Sequence, residues 1–229
     1  MVFVRLHTRS LLSILLVAAA LLVGGCASLS DTQKGAVIGA GAGAAGGAII
    51  GKAAGGTAEG AIIGAAVGGA AGAIIGNQMD KKAEELDKEL ENAEVERVGE
   101  GIKITFDGGL LFDFDSAALR DRARTNLREF ATRMQDFEDT RILVVGHTDA
   151  KGAADYNRDL SERRADAAAA FLMEQGVAAD RIVSVGRGET EPVATNETEA
   201  GRQKNRRVEV AIYANEEYRE RVQAQTQGR

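Results

Sequence analysis

The pattern of hydrophobic and polar positions changes several times along the 229-residue chain. Residues 11–23 are apolar apart from Ser13, and residues 35–76 consist almost entirely of Gly, Ala, Ile and Val. Residues 77–98 are rich in Glu and Lys, whereas short apolar runs alternate with amphipathic stretches from residue 99 onward. These changes predict a leader, a glycine-rich segment, a charged spacer and a folded domain, followed by a polar tail over residues 215–229.

Residues 99–214 have the pattern of an α+β domain. Apolar and polar residues alternate over residues 102–106, as they do in a half-buried strand. The continuous apolar run 142–145 predicts a central strand, because such strands are buried on both faces. Further strands are predicted at residues 182–185 and 208–212.

Two helices are predicted between these strands. The first is expected to begin near Ser116, with Ser116 or Asp115 as its N-cap residue, and to continue to about Phe137. The second is expected to run from Asp155 to Gln175 and to end at a glycine cap. The order β-α-β-α-β-β predicts a two-layer fold with helices on one face of a mixed sheet.

Residues 35–76 contain two copies of one glycine pattern, GAVIGAGAGAAGGAIIG and GAIIGAAVGGAAGAIIG. A four-residue period keeps glycine on one helix face, so two such helices can approach closely. We therefore predict a helical hairpin with its turn near residues 55–57. Each Gly costs a helix about 1 kcal/mol relative to Ala, so the hairpin needs close packing or a membrane. Membrane insertion, self-association, a tight hairpin in water and a partly disordered linker are all compatible with the pattern.

Residues 77–98 are predicted to form one charged helix that acts as a spacer. The thin apolar stripe is too short to indicate a coiled-coil dimer, so it favours a helix that lies on the next domain. The stripe consists of residues at steps of four, three, four and three positions, namely Met79, Ala83, Leu86, Leu90 and Ala93.

The first 25 residues have the pattern of a lipoprotein signal peptide. Arg5 and Arg9 precede the apolar run, which is too short to span a bilayer. Val-Gly-Gly then precedes Cys26, the one cysteine of the chain, as in a bacterial lipobox. We predict that Cys26 is lipidated and that residues 26–34 form a short polar tether.

Composition argues against several classes of protein. The formal net charge is −6 and aromatic residues make up only 4% of the chain, so nucleic acid is not an expected partner. One cysteine excludes an intrachain disulfide and a cysteine-based zinc site. The chain lacks a GxSxG turn and a calcium-loop spacing, so neither catalysis nor a metal site is predicted. No cofactor is expected, and His147 is expected to be structural.

The segment 146–165 joins a strand to a helix and has an unusual density of polar side chains. Ligands bind at such connections in α/β proteins, because strand ends and helix N-termini converge there. On chemistry alone, a ligand with charges of both signs and a solvated loop are equally compatible with this segment. Its polar residues are His147, Thr148, Asp149, Asp155, Asn157, Asp159, Arg163 and Arg164.

Residues 99–213 resemble the OmpA-like C-terminal domain family, which binds peptidoglycan non-covalently. Three blocks carry the resemblance in the family's order: LLFDFDSAAL, VVGHTDAKGAADYNRDLSERRA and IVSVGRGETEPVATNETEAGRQKNRRVEV. The resemblance implies a binding domain rather than an enzyme, with the peptidoglycan stem peptide as its partner. The whole arrangement resembles YiaD-type outer-membrane lipoproteins, which implies a lipid-anchored protein whose C-terminal domain lies in the periplasm.

The family's ligand group is diaminopimelate, whose side chain ends in an ammonium and a carboxylate. The resemblance assigns Asp149 to the ammonium and Arg164 to the carboxylate, and the planar fork of Arg suits a carboxylate. Asn157 shares a helix face with Arg164 and is expected to support the pair. Further lining of the pocket is expected from Thr148, Phe114 and Asp115.

The neighbouring arginines are less clearly assigned by the sequence. Arg163 lies about 100° round the helix from Arg164 and is expected to face solvent. Arg206 and Arg207 point to opposite faces if they lie in a strand. One of them is expected to support the pocket or to pair with a buried acid, and the pattern does not say which.

The sequence therefore predicts two alternative functions. The first is a lipid-anchored protein that tethers the outer membrane to the cell wall through diaminopimelate. The alternative is a glycine-zipper protein that associates with the membrane or with itself, for which the wall-binding domain only provides localisation.

Overall fold

The computed structural model describes residues 55–228, which form a five-stranded sheet and seven α-helices. The helices are α1 Thr57–Ala65, α2 Gly69–Glu89, α3 Gly108–Leu111, α4 Asp121–Gln135, α5 Ala154–Glu174, α6 Glu199–Asn205 and α7 Glu216–Gln227. The strands are β1 Ala93–Val98, β2 Gly101–Asp107, β3 Thr140–His147, β4 Ile182–Gly188 and β5 Arg207–Ala214. The predicted signal peptide, Cys26, the tether and the first glycine arm lie outside the described residues.

The sheet is mixed and has the order β1-β2-β5-β3-β4. Neighbouring strands are antiparallel except for β3 and β4, which are parallel and connected through α5. The α+β class and the four predicted strands are confirmed. Strand β5 lies at the centre, and all eight of its residues are buried.

The larger core lies on one face of the sheet. Ile104 of β2, Val144 of β3 and Val210 of β5 point to this face. Helices α2, α4, α5 and α7 cover them with apolar side chains such as Met79 and Phe130. This layer is what the amphipathic pattern predicted, with the addition of α2 and α7.

A smaller core lies on the opposite face, where α1 covers the centre of the sheet. Side chains of α1, including Ala58 and Ile62, pack on Leu143, Val145 and Tyr213. Helices therefore cover both faces of the sheet, whereas the sequence predicted helices on one face only. The covering helix comes from the first part of the second glycine arm, whereas Ala71 and Ile75 further along the arm pack in the larger core.

The second glycine arm is not the continuous helix that a hairpin predicts. It breaks between α1 and α2, where Gly68 and Gly69 have φ values of 68° and 61°. Glu100 accepts hydrogen bonds from the backbone N–H groups of Val67 and Gly68, at 2.9 and 2.7 Å. The glycines permit left-handed backbone at little cost, so the chain turns around the sheet and places the two helices on opposite faces.

The helix predicted over residues 77–98 ends at Glu89, and residues 93–98 form β1. Asn92 has a φ of 57° in the turn that follows the helix. Strands β1 and β2 then form a hairpin with a two-residue turn, Gly99–Glu100. The sequence AEVERV alternates apolar and charged residues at the strand period, and this local pattern prevails over the Glu-rich composition.

The predicted start of the first long helix is also wrong, since α4 begins at Asp121 and neither Ser116 nor Asp115 caps it. Residues 112–119 instead form a loop closed by a bridge between Phe112 and Leu119. The loop carbonyls of Asp113 and Ser116 accept hydrogen bonds from a buried arginine of α5, described below.

The polar tail is helical over most of its length. Helix α7 packs on the larger core through Tyr218 and Val222, so the tail belongs to the folded unit. Within residues 55–228, no helix combines the length and the apolar character needed to cross a bilayer.

Docking of α1 is tested by a pair of adjacent residues. Ile62 is fully buried against the sheet, whereas 51% of Ile63 is exposed. Ile62→Ala should lower the free energy of unfolding by about 2–5 kcal/mol, because it leaves a cavity. Ile63→Ala should change it by no more than about 0.5 kcal/mol. Chemical denaturation of both variants measures the difference. Equal effects would show that α1 is not packed as described.

Candidate functional site

A pocket of about 340 Å³ opens where the 112–119 loop, the β3–α5 connection and the α6–β5 connection meet. Strand β3 ends there, and the first two turns of α5 form one wall. All six residues predicted for the site line this pocket, namely Phe114, Asp115, Thr148, Asp149, Asn157 and Arg164.

Close packing of α5 on the sheet sets the position of this wall. A Cβ atom at Gly146 would lie 2.1 Å from the carbonyl oxygen of Ser161, and one at Gly186 would lie 2.4 Å from the amide nitrogen of Glu162. Only glycine fits at both positions. The helix therefore lies low over β3 and β4, and its polar residues reach the strand end that carries Asp149.

Asp149 is nearly buried, and both of its carboxylate oxygens are already hydrogen-bonded. Oδ1 accepts from the backbone N–H of Lys151 at 2.9 Å, and Oδ2 accepts from Nη1 of Arg206 at 2.5 Å. A carboxylate has about four acceptor positions, so the described bonds leave room for a ligand donor.

Arg206 connects Asp149 to a second carboxylate at the rim. Its Nη2 donates to Oε1 of Glu199 at 2.7 Å and to Oε1 of Gln203 at 2.6 Å. Arg206 and Arg202 lower the pKa of Glu199 to about 2 by hydrogen bonds and charge. The open question about the arginine pair is thereby answered: Arg206 belongs to the pocket.

Arg164 is the unusual member of the site, because only 6% of its surface is exposed and no carboxylate pairs with it among residues 55–228. Its Nε donates to the carbonyl of Ser116 at 2.9 Å, and its Nη2 donates to the carbonyl of Asp113 at 3.3 Å. The guanidinium also lies 5.3 Å from the centre of the Phe112 ring. Burial lowers the pKa of Arg164, mainly through the loss of hydration.

Asn157 and Thr148 line the inner part of the pocket. Nδ2 of Asn157 donates to the carbonyls of Asp149 and Lys151 at 3.2 and 3.1 Å, and to Oε2 of Glu189 at 2.6 Å. Asn157 thus fixes the loop that carries Asp149, as expected of a supporting residue. The Thr148 hydroxyl is buried and has no hydrogen-bond partner within the described residues.

Phe114 and Asp115 lie at the rim rather than inside the pocket. Phe114 has 97% of its surface exposed. Asp115 has a φ of 58° and accepts a hydrogen bond from the hydroxyl of Tyr156 on α5. The sequence did not single out Tyr156, because nothing in its local pattern distinguishes it from a solvent-facing helix residue.

Lys151 and Tyr156 also line the pocket, whereas four other polar residues of the segment 146–165 do not. Asp155, Asp159 and Arg163 are exposed on α5, as expected for Arg163. His147 is buried on the face of the sheet that carries α1, where its Nε2 lies 3.5 Å from Oε2 of Glu209. Within residues 55–228, no group of three or more His, Cys, Asp or Glu side chains has the geometry of a metal site.

The second arginine of the pair belongs to this buried cluster. Nε of Arg207 donates to Oε1 of Glu209 at 2.7 Å, and both side chains are almost inaccessible. Burial alone would raise the pKa of Glu209. Hydrogen bonds and the charges of His147 and Arg207 outweigh burial and lower this pKa to about 2.

Comparison with known proteins gives two family matches for this chain. Residues 111–206 match the OmpA family, and residues 7–80 match the YMGG-like Gly-zipper. The OmpA match covers most of the C-terminal domain, which carries the pocket. The Gly-zipper match includes the second glycine arm, whose helix α1 packs on the sheet of this domain.

Individual relatives match over the same domain. The probable lipoprotein YiaD of Escherichia coli is 37% identical over 118 residues, which cover 52% of this chain and 54% of YiaD. The peptidoglycan-binding protein ArfA of Mycobacterium tuberculosis is 38% identical over 105 residues, which cover 46% of this chain and 32% of ArfA. The chain thus spans between a third and about half of the length of these relatives.

A solved structure shows the same fold. The cell wall anchor of the T6SS from Pseudomonas aeruginosa is 33% identical, with a TM-score of 0.53. The match covers 60% of this chain and 97% of that structure.

The buried ion pair of Arg207 and Glu209 gives a prediction about stability. Arg207→Ala should lower the free energy of unfolding by about 3–5 kcal/mol at pH 7, because it leaves the Glu209 carboxylate buried and unpaired. The double variant Arg207→Met with Glu209→Leu should recover most of this loss. Urea denaturation measures both, and an Arg207→Ala effect no larger than that of exposed Arg163→Ala would contradict the prediction.

The same cluster predicts a pH dependence. The pKa of Glu209 is lower in the folded protein, at about 2, than in the unfolded chain, at about 4.3. Its contribution to stability is therefore complete above the unfolded pKa and is lost as the pH falls toward 2. Between pH 5 and pH 2, wild type should lose more stability than Glu209→Gln, which cannot ionise. Parallel pH profiles of the two proteins would contradict this assignment.

Proposed function

We propose that this protein is a lipid-anchored outer-membrane protein that binds peptidoglycan non-covalently through the diaminopimelate of the stem peptide. The observation that carries the proposal is the buried guanidinium of Arg164, which has no anionic partner among the described residues. A buried charge without a counter-ion is costly, so the pocket favours a ligand that supplies a carboxylate.

The ammonium of the ligand is proposed to bind in the same pocket, at Asp149. Burial lowers the pKa of Arg164, and the nearby negative charges of Asp115 and Asp149 only partly offset this effect. An ammonium and a carboxylate on one carbon, as in the side chain of diaminopimelate, match an acid and an arginine that face one pocket.

The comparisons support the same ligand class. One relative is named as a peptidoglycan-binding protein and one solved structure as a cell wall anchor, and both matches include the pocket-bearing domain. The OmpA family is a binding family, so the proposed role requires no catalysis. If purified protein released soluble muropeptides from sacculi, a purely binding role would be wrong.

The lipid anchor is the part of the proposal that rests on sequence. Cys26 follows small residues at the end of an apolar run, and a relative is named as a probable lipoprotein. An acylated Cys26 places the OmpA-family domain in the periplasm and links the outer membrane to the wall. Mass spectrometry of the mature N-terminus tests the modification.

The alternative, membrane association or self-association through the glycine zipper, is favoured by the family match over residues 7–80. The structure gives the second arm another role, because α1 is packed on the sheet. Wall binding is therefore the function that we place first.

The proposal is tested by co-sedimentation of the protein with purified sacculi. Wild type should co-sediment, whereas Asp149→Ala and Arg164→Ala should stay in the supernatant. Each change leaves an opposite charge unpaired in the complex and should cost about 2–5 kcal/mol of binding free energy. Arg163→Ala is the matched control, since Arg163 is adjacent but exposed. It should bind like wild type.

Competition identifies the ligand group. Free diaminopimelate should displace the protein from sacculi, and lysine, which lacks the second carboxylate, should displace it poorly. Equal competition by both amino acids would show that Arg164 does not read the carboxylate.

A further inference from the structure

One short turn, residues 187–191, contacts both the docked glycine arm and the pocket. Its two end residues, Arg187 and Glu191, reach Thr57 at the N-terminus of α1. Its middle residue, Glu189, reaches Asn157 in the pocket. The turn therefore lies between two features that the sequence places in separate regions of the protein.

The contacts on the α1 side hold the start of the helix. Glu191 accepts from the backbone N–H of Thr57 at 3.0 Å and from its hydroxyl at 2.6 Å. Nε of Arg187 donates to the same hydroxyl at 2.7 Å. Glu191 thus caps α1 in place of a residue from the helix's own sequence, since Gly56 at the N-cap position has no side chain.

The contacts on the pocket side support the residues proposed to bind the ligand. Oε2 of Glu189 accepts from Nδ2 of Asn157 at 2.6 Å, and that same nitrogen holds the backbone carbonyl of Asp149. The carbonyl of Gly188 accepts from the backbone N–H of Thr148 at 2.9 Å. Movement of the turn would therefore move the supports of both Asp149 and Thr148.

The turn itself is tightly constrained. The backbone N–H and the hydroxyl of Thr190 both donate to the carbonyl of Arg187, at 3.2 and 2.8 Å. Gly188 has a φ of 55°, and its N–H donates to the hydroxyl of Ser161 on α5 at 2.8 Å. Such a turn transmits a displacement from one end to the other more readily than it absorbs one.

We propose that docking of α1 and binding of ligand in the pocket are coupled through the 187–191 turn, with Glu189 as the positioning residue for Asn157. The inference rests on the proposed function, because it concerns the affinity of the same pocket. Its consequence is that the state of the glycine arm, which leads toward the predicted anchor, adjusts the affinity for the wall. Coupling of this kind is reciprocal, so ligand also favours the docked arm.

The first experiment measures binding of a diaminopimelate-containing tetrapeptide to full-length protein in detergent by calorimetry. Glu191→Ala removes the cap of α1 without touching the pocket and should raise Kd about fivefold or more. Ile63→Ala is the matched control, because Ile63 lies on the same helix but 51% of it is exposed and it does not hold α1 on the sheet. It should leave Kd within about twofold of wild type.

Variants of Glu189 test the positioning role. Glu189→Ala should raise Kd at least as much as Glu191→Ala, because it directly removes the carboxylate that accepts from Asn157. Glu189→Gln keeps an acceptor oxygen and should bind nearly as wild type does. If both Glu189 variants bind alike, the residue does not act through this hydrogen bond. Thr57→Val is the milder change at α1 should Glu191→Ala fail to fold, and it should raise Kd in the same direction.

Hydrogen exchange tests reciprocity. Saturating tetrapeptide should slow exchange of the α1 amides by at least the factor by which Glu191→Ala weakens binding, and it should affect α7 less, since α7 does not contact the turn. If wild type does not bind the tetrapeptide, the proposed function is wrong. If wild type binds and Glu191→Ala binds equally well, only the coupling is overturned.

Discussion

The contact between helix α5 and strands β3 and β4 is the constraint on which the pocket depends. The backbone of the helix lies against Gly146 and Gly186, where any side chain would overlap Ser161 or Glu162. At this depth, Asn157 reaches the loop after β3, and Arg164 reaches the carbonyls of the 112–119 loop. The site is thus built from packing first, and its charges are placed by the helix that the glycines admit.

The charged side chains of the pocket are paired unevenly. Asp149 already shares its charge with Arg206, which Glu199 neutralises in turn. Arg164 is held by carbonyl dipoles and an aromatic ring but by no described carboxylate. A ligand ammonium would therefore join an existing network, whereas a ligand carboxylate would pair with a buried guanidinium that forms no ion pair within residues 55–228. The carboxylate should contribute more to discrimination, because the empty site leaves Arg164 unmatched.

The sequence predicted those parts of the fold and site that depend on local pattern or on a continuous motif. The four strands and helix α5 follow from periodicity, and Asp149 and Arg164 follow from the family motif around them. Strand β1 was missed because AEVERV has both the composition of a helix and the alternation of a strand. Only pairing with β2 decides between them. The partnership of Asp149 with Arg206 spans 57 residues, so no local pattern reveals it.

The glycine period has a second explanation in the structure. Small residues let two helices approach, but they equally let α1 lie close to the sheet, where Ile62 packs against Gly101. Thr57 and Glu59 are the only polar side chains of α1, and both bind the domain, through Glu191 and Lys103 respectively. A hairpin that inserted this arm in a membrane would have to break both contacts and uncover Leu143, Val145 and Tyr213. Burying those apolar side chains favours the docked arm, so the packed unit of the described residues includes α1 as well as residues 99–214.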